Sequence, residues 1–530
     1  MYPRSFADSN GDGIGDINGI RARLPYLADL GVDAIWINPW YPSPMVDGGY
    51  DVVRYDDIEP TFGSLADAEA LIIEAHAVGL RVVLDIVPNH TSDQHEWFQA
   101  ALDSPPGSDW RERYIFRDGR GVAGDEPPNN WASCFGGPAW TRVAGADGLP
   151  GQWYLHLFDP SQPDRNWLHP AVQADAEATL RFWFDRGVDG FRIDVAHSLF
   201  KADGLPDVGP GDWQTGEMRE HPHWDQEPVH DIYRRWRQIG DSYDPPRVFV
   251  AEAWLPHLDR LVRYVRSDEL HTSFNFPFLR AAWRVDALQS VIERSVALHR
   301  TVGAPPTWVL SNHDVMRHAS RLARLDTRDR GDQLRDFADE VGDIGVGMQR
   351  ARAIILLMLA LPGSCYLYQG EELGLREVED LPADALRDPT WQRSGHTDKG
   401  RDGCRVPLPW SGSEQPFGFS ETDGVNPWLP QPAWFAECTA ETQRSDPASM
   451  LMLYRTALRL RREIFDQGDA GVTWLEESTG VLAFRRANGV RCVVNISGAS
   501  VTVDASTVLL ASAELHDGEL PVNAAAWLRD

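Results

Sequence analysis

Several apolar runs in this chain end on residues able to carry protons or hold charge. DIVPNH closes one run with Asp85 and His90, GFRIDVAH supplies Arg192 and Asp194, RVFVAEAW supplies Glu252, and PTWVLSNHD ends on His313 and Asp314. In a barrel of parallel strands, groups at the C-terminal strand ends gather at one mouth. Asp194, Glu252 and Asp314 are therefore expected to converge. Buried like charges cannot all ionise together, so one carboxyl of the set should have a raised pKa. A raised acid beside an ionised carboxylate is an acid/nucleophile pair, the equipment for cleaving a glycosidic bond. A single strand-end Asp more often caps a helix or pairs with an arginine; the joint arrival of several at one face argues for chemistry.

The elements that must position these residues repeat one grammar. IRARLPYLADLGVDAIWINP, ALIIEAHAVGLRVVLDIVPNH and LRFWFDRGVDGFRIDVAH each run from helix through glycine to apolar strand. Leu24, Leu27 and Leu30 share one helical face, as do Leu71, Ile72 and Ala75. Gly31, Gly79 and Gly187 stand where a helix end needs a left-handed residue. Further strands are expected at 247–254, 273–278, 306–314 and 364–372. The spacing predicts an α/β fold: a (β/α)8 TIM barrel with a small inserted domain after strand 3 and a C-terminal antiparallel β-sandwich. Residues 1–90 and 169–464 are assigned to the barrel, 91–168 to the insertion and 465–530 to the sandwich. An open doubly wound sheet is the weaker alternative, because no GxGxxG turn is present. Met1-Tyr2-Pro3-Arg4 leaves little room for a first barrel strand, which is expected to be a stub or to lie upstream.

Composition narrows the partners. The chain has 530 residues, 42% of them hydrophobic, and a formal net charge of −29. One large domain with smaller ones is expected at this length. An acidic surface disfavours nucleic acid and anionic membranes and favours neutral partners or cations. Twenty-one Trp residues offer flat faces for sugar rings as well as for cores. Five scattered Cys form neither a disulfide framework nor a zinc motif, and no apolar run reaches membrane-span length, so a reducing, cytoplasmic location is expected.

These motifs, in this order, resemble those of the α-amylase family of glycoside hydrolases (family 13), in its oligo-1,6-glucosidase and α-glucosidase branch. QPDRN at 162–166 resembles that branch's QPDLN, with Arg165 in place of leucine. The resemblance spans nearly the whole chain and implies a retaining mechanism. It assigns Asp194 as nucleophile, Glu252 as acid/base and Asp314 as the residue gripping sugar hydroxyls. Arg192 would keep the nucleophile ionised, while His90 and His313 would bind the same glucose and Asp85 would belong to the same pocket. Tyr50 would stack on the sugar, and Asp47, paired with Arg401 and with Arg405 nearby, would close the pocket behind it. That closure implies exo action on short α-glucosides, with transglucosylation. Phe158, Gln162 and Phe135 would line the leaving-group side. In this branch a valine after the nucleophile accompanies α-1,6 cleavage, although Val195 also reads as an ordinary strand residue; His197 would alter the same subsite. A trehalose-synthase-type isomerase and a non-catalytic sugar-binding relative are the alternatives. The chain is expected to act as a monomer or homodimer.

One motif stands apart. DSNGDGIGD alternates Asp8, Asn10 and Asp12, with the Ile14 carbonyl and Asp16 completing an oxygen-rich loop. It opens like an EF-hand, but the twelfth position, where a bidentate Glu is required, is Gly19. A switch is excluded. The oxygen donors suit a structural Ca2+, or Mg2+, and the resembled branch carries a metal at this place; no organic cofactor is expected.

Overall fold

The helix Leu65–Ala77 shows how one helix–strand unit is built. Ser64 and Asp67 form a capping box at its start, Ala68, Leu71, Ile72 and Ala75 are buried, and Gly79 takes φ +83° just beyond its end. The chain then enters the strand Arg81–Ile86, in which every residue after Arg81 is buried. A strand covered on both faces must read as a continuous apolar run, as this one does up to Asp85.

The computed structural model describes residues 1–144, 150–209, 220–324, 342–422, 424–465 and 471–529. These fall into two compact units.

One unit comprises Ala34–Ser273 and Pro382–Asp402. Its centre is a parallel sheet whose strands run in the order Ala34–Ile37, Arg81–Ile86, Gly190–Ile193, Val248–Ala251 and Thr272–Ser273. Helices Leu65–Ala77, Pro170–Phe184 and Val229–Asp241 connect successive strands. Between the second and third strands the chain builds a small antiparallel sheet from Phe116–Arg117, Pro150–Leu155 and Trp140–Ala144. This sheet has its own apolar core around Trp131, Trp140, Leu155 and Leu157.

The other unit comprises Met1–Asp33, Phe274–Leu381 and Gly403–Asp530. Pro3–Ser5 form a 3-10 turn, and among the described residues no strand precedes the helix Ile17–Leu30. Leu24, Leu27 and Leu30 of that helix are buried together. Strands Thr307–Val309 and Ser364–Tyr366 pair in parallel. Thr473–Trp474, Val481–Arg485, Val490–Asn495, Ala524–Arg529 and Val508–Ala511 form an antiparallel sheet, beside a second pair of strands at Val501–Thr502 and Glu519–Leu520. The apolar run at 353–361 lies in the buried helix Ile344–Ala360, and among the described residues no helix is long and apolar enough to cross a membrane.

The strand expected at 273–278 is a correction. Strand geometry stops at Ser273, Phe274 makes one bridge to Thr307, and Phe276–Arg280 is helical. Asn275 accepts a hydrogen bond from the Phe278 N–H and caps that helix, with Pro277 in its first turn. A cap and a first-turn proline override the β preference of three phenylalanines.

Candidate active site

Strand register assembles the charged cluster. Asp85 lies directly opposite Arg192, and Ile193 opposite Ala251. Side chains alternate along a strand, so Arg192 and Asp194 share a face, and Glu252 arrives beside Asp194 one step beyond the last register pair. Arg192 Nη1 donates to Asp194 Oδ1 at 2.6 Å and to Asp85 Oδ1 at 2.9 Å, while Nη2 meets Glu252 Oε2 at 3.1 Å. One buried guanidinium thus serves three buried carboxylates. Burial works against the Arg192 charge, but Asp85, Glu252 and Asp194 outweigh it and push its pKa up.

Asp85 is fully enclosed. Its Oδ2 accepts from Trp36 Nε1 at 3.1 Å and from the Tyr50 hydroxyl at 3.0 Å as well as from Arg192. Within this cluster the Asp85 carboxyl is pushed up to about 6 by burial against the opposing pull of Arg192.

Glu252 has a donor for each oxygen. Oε2 accepts from the Val195 backbone N–H at 2.7 Å, and Oε1 from the Trp254 indole at 2.6 Å. Val195 is not the ordinary strand residue its sequence suggests. It lies beyond the strand Gly190–Ile193 with φ +35°, a conformation rare for a β-branched side chain. The turn aims its N–H at Glu252, and Ala196 N–H then reaches the Glu252 carbonyl at 2.8 Å. Strain at such a residue persists only when its surroundings hold it.

A second group lies in the same unit. Asp47 Oδ1 takes Arg401 Nη2 at 2.6 Å, and Asp47 Oδ2 accepts from Gln162 Nε2 at 3.0 Å. Arg401 is held in turn by Asp388, which accepts from its Nε at 2.5 Å and from its backbone N–H at 3.0 Å. Gly400, at φ +68°, has no room for a side chain, because a Cβ there would lie 2.5 Å from Asp388 Cγ. Asp51 shapes the Asp47 loop by accepting from Val46 N–H, Asp47 N–H and the Ser43 hydroxyl, and burial raises its carboxyl to about 6. Gln162 also meets His90 Nε2 at 3.1 Å, and burial lowers His90 to about 4, leaving it neutral. Phe158 is half-buried and packs on His90 and Phe135, whose ring lies 4.9 Å from the Arg401 guanidinium. His197 is buried against Trp224, and burial lowers it to about 3.

His313 and Asp314 belong to the other unit. Arg405 donates from Nε to the His313 carbonyl at 2.8 Å and from Nη2 to Asp314 Oδ1 at 3.1 Å; His313 stacks on Tyr2. Arg405 is thus the partner of Asp314.

The loop at Asp8–Asp16 lies in this unit as well. Asp8 accepts from the N–H groups of Asn10, Gly11 and Gly13, Asp12 from Ile14 N–H, and Asp16 from Ser9 and from Gly19 at the start of the helix. Asp8 and Asp16 are buried. Among the described residues no three Asp, Glu, His or Cys side chains gather to hold a metal ion. The Asp8, Asp12 and Asp16 carboxylates are turned toward these N–H donors, so a cation here would have to draw them together with the Asn10 amide and the Ile14 carbonyl, oxygens that hard cations accept.

Trp36, Trp254, Asn38 and Asp388 complete these sites and escaped sequence reading. Asn38, at the end of the strand run AIWIN, and Trp254, at the end of RVFVAEAW, did stand at strand-run ends; the Asn38 amide donates to the Tyr50 hydroxyl at 2.6 Å.

Comparison with known proteins follows the same lines. The family model described as "Alpha amylase, catalytic domain" matches residues 1–468. A "Probable alpha-glucosidase" of Rhizobium meliloti (strain 1021) is 38% identical over 548 residues, covering 97% of this chain and 91% of the relative. An "Oligo-1,6-glucosidase" of Parageobacillus thermoglucosidasius is 34% identical over 496 residues, covering 87% and 82%. Among solved structures, an alpha-glucosyl transfer enzyme superposes with a TM-score of 0.85 at 33% identity, covering 100% of this chain and 98% of that one.

Proposed function

The chain belongs to the alpha-amylase family of glycoside hydrolases, and from that premise we propose that it is a retaining, exo-acting α-glucosidase releasing glucose from the non-reducing end of short α-glucosides. Its fold class is that of the family, a (β/α)8 barrel with an inserted domain and a C-terminal antiparallel β domain. For the limits we keep 1–90 with 169–464, 91–168 and 465–530; the antiparallel strands inside the insertion and a family match ending at 468 support them.

The observation that carries the reading is Arg192, which holds Asp194 and Glu252 on one sheet face. In the first step Glu252 gives its proton to the glycosidic oxygen while an Asp194 oxygen attacks the anomeric carbon. The bond to the leaving sugar breaks and a glucosyl ester of Asp194 forms. Glu252, now a carboxylate, takes a proton from water, whose oxygen attacks the same carbon and frees Asp194. Two inversions leave the configuration retained. Arg192 favours the ionised nucleophile by adjacency of opposite charge. Asp47 grips the far hydroxyls with Tyr50 and His90 beside the sugar, and the Arg401–Asp47 pair closes the space behind it, which supports exo action. Phe158 and Gln162 take the leaving-group side. Asp314 and His313 bind sugar hydroxyls; their support is the LSNHD motif and the Arg405 pairing. The likeness to a solved alpha-glucosyl transfer enzyme supports transglucosylation as a side reaction.

Initial rates and products on maltose, isomaltose, sucrose and trehalose test the reading. Free glucose, first released as the α-anomer, is expected from maltose. Trehalose as the main product from maltose would replace it with the isomerase reading.

The acidic loop carries a separate proposal: a structural Ca2+, or Mg2+, held by Asp8, Asn10, Asp12, the Ile14 carbonyl and Asp16. It would supply no chemistry, only positive charge for two buried carboxylates at the start of Ile17–Leu30. Chelation is expected to lower the melting temperature, with calcium restoring it; an unchanged melting temperature would leave the loop as a hydrogen-bonded turn. The chain is read as cytoplasmic and as a monomer or homodimer. The cytoplasmic reading rests on the sequence alone, whose five Cys are scattered with no CxxC pair.

A further inference from the structure

Glu252 must act twice in the proposed cycle, first as an acid and then as a base. Its surroundings are unequal on its two oxygens. Oε2 lies against two buried donors, the Val195 N–H and the Arg192 guanidinium. A proton on Oε2 would face both of them. Oε1 has a single donor, the indole N–H of Trp254 at 2.6 Å, and Trp254 is only half-buried. The catalytic proton therefore belongs on Oε1, the oxygen Trp254 touches.

A carboxylate oxygen accepts a hydrogen bond more strongly than the oxygen of a carboxylic acid does. The indole contact thus favours the ionised form of Glu252 and weakens when the proton arrives. We propose that Trp254 is a positioning residue for Glu252, orienting its Oε1 and setting how readily that oxygen takes and releases the catalytic proton. The other charged groups facing Glu252 come from the neighbouring strands: Arg192 in direct contact, and Asp85 and Asp194 through the same guanidinium. These are fixed by buried strand register, whereas Trp254 follows the strand Val248–Ala251 on a loop. Glu252 and Trp254 are only two positions apart in the chain.

The proposal rests on Glu252 being the acid/base, and the test keeps the two separable. The pH dependence of kcat/KM on maltose is measured for the wild type, Trp254→Phe and Trp254→Gln, with Glu252→Gln alongside. Loss of the donor in Trp254→Phe is expected to move the basic limb to higher pH by about one unit or less, since a hydrogen bond to the charged form holds a carboxyl pKa down. Trp254→Gln returns an N–H without the ring and is expected to restore the limb toward its wild-type position. A basic limb unmoved in Trp254→Phe, or moved equally in Trp254→Gln, would overturn the proposal. If Trp254→Phe fails to fold, Trp254→Met supplies the donor-free variant with the same expectation. Glu252→Gln at wild-type kcat would overturn the acid/base assignment itself; a collapsed Glu252→Gln with an unmoved Trp254→Phe limb would remove only the role of Trp254.

Discussion

Replacing Asp194 with Asn is expected to lower kcat on maltose by about 10⁴-fold or more, because an amide cannot form the glucosyl ester and no second group replaces it. The substitution is nearly isosteric, and two carboxylates, Asp85 and Glu252, still share Arg192. The fold should therefore survive: three acidic groups on one guanidinium leave an excess of negative charge, and removing one relieves it. Kinetics paired with thermal unfolding distinguish a lost nucleophile from a lost fold. Full hydrolysis by Asp194→Asn would end the proposed mechanism.

Arg192→Met is expected to have the opposite balance, with stability lost as well as activity. Removing one partner from a buried ionic cluster typically costs about 3–5 kcal/mol, since the remaining charges are left uncompensated. The loss should depend on pH with a definite sign. Burial already raises Asp85 to about 6 with Arg192 in place, and without the guanidinium Asp85 is driven further upward. A carboxyl raised in the folded state binds protons that the unfolded chain has released. Its stabilising contribution is present below its unfolded pKa, near 4, and disappears as pH rises through its folded value. The variant should thus lie nearer the wild type at pH 5 than at pH 8 in urea unfolding. Equal destabilisation at both values would mean that Arg192 acts through packing, not through charge.

The strand-end residues were legible because the chemistry and the periodicity coincide there. Asp85, Arg192, Asp194 and Glu252 follow apolar runs whose register is dictated by burial, and a buried parallel strand tolerates no slip. The register pairing of Asp85 with Arg192 is the direct product of that constraint. Asp47 and Arg401 were readable only through family resemblance: 354 residues separate them, and no local pattern announces the pairing. Trp36, Trp254 and Asp388 were missed for a related reason. A tryptophan or aspartate, in a strand such as Trp36 or in a loop, has many structural uses, and its partner is set by tertiary geometry, not by spacing. The helix at Phe276–Arg280 was missed because a short aromatic run satisfies strand preference until its Asn cap is weighed. The positive φ of Val195 had no signal at all, since valine is a residue that normally avoids it.

That last feature has a consequence for how such an enzyme can change over generations. The peptide that follows the nucleophile also donates to the acid/base, so position 195 is wired to two traits at once. A replacement there alters the shape beside the scissile bond and, through backbone relaxation, the hold on Glu252. Whatever the Val195 side chain contributes is therefore inherited together with the hold on Glu252. A lineage that changes Val195 must also keep Glu252 held, and the other oxygen of that carboxylate answers to the Trp254 indole.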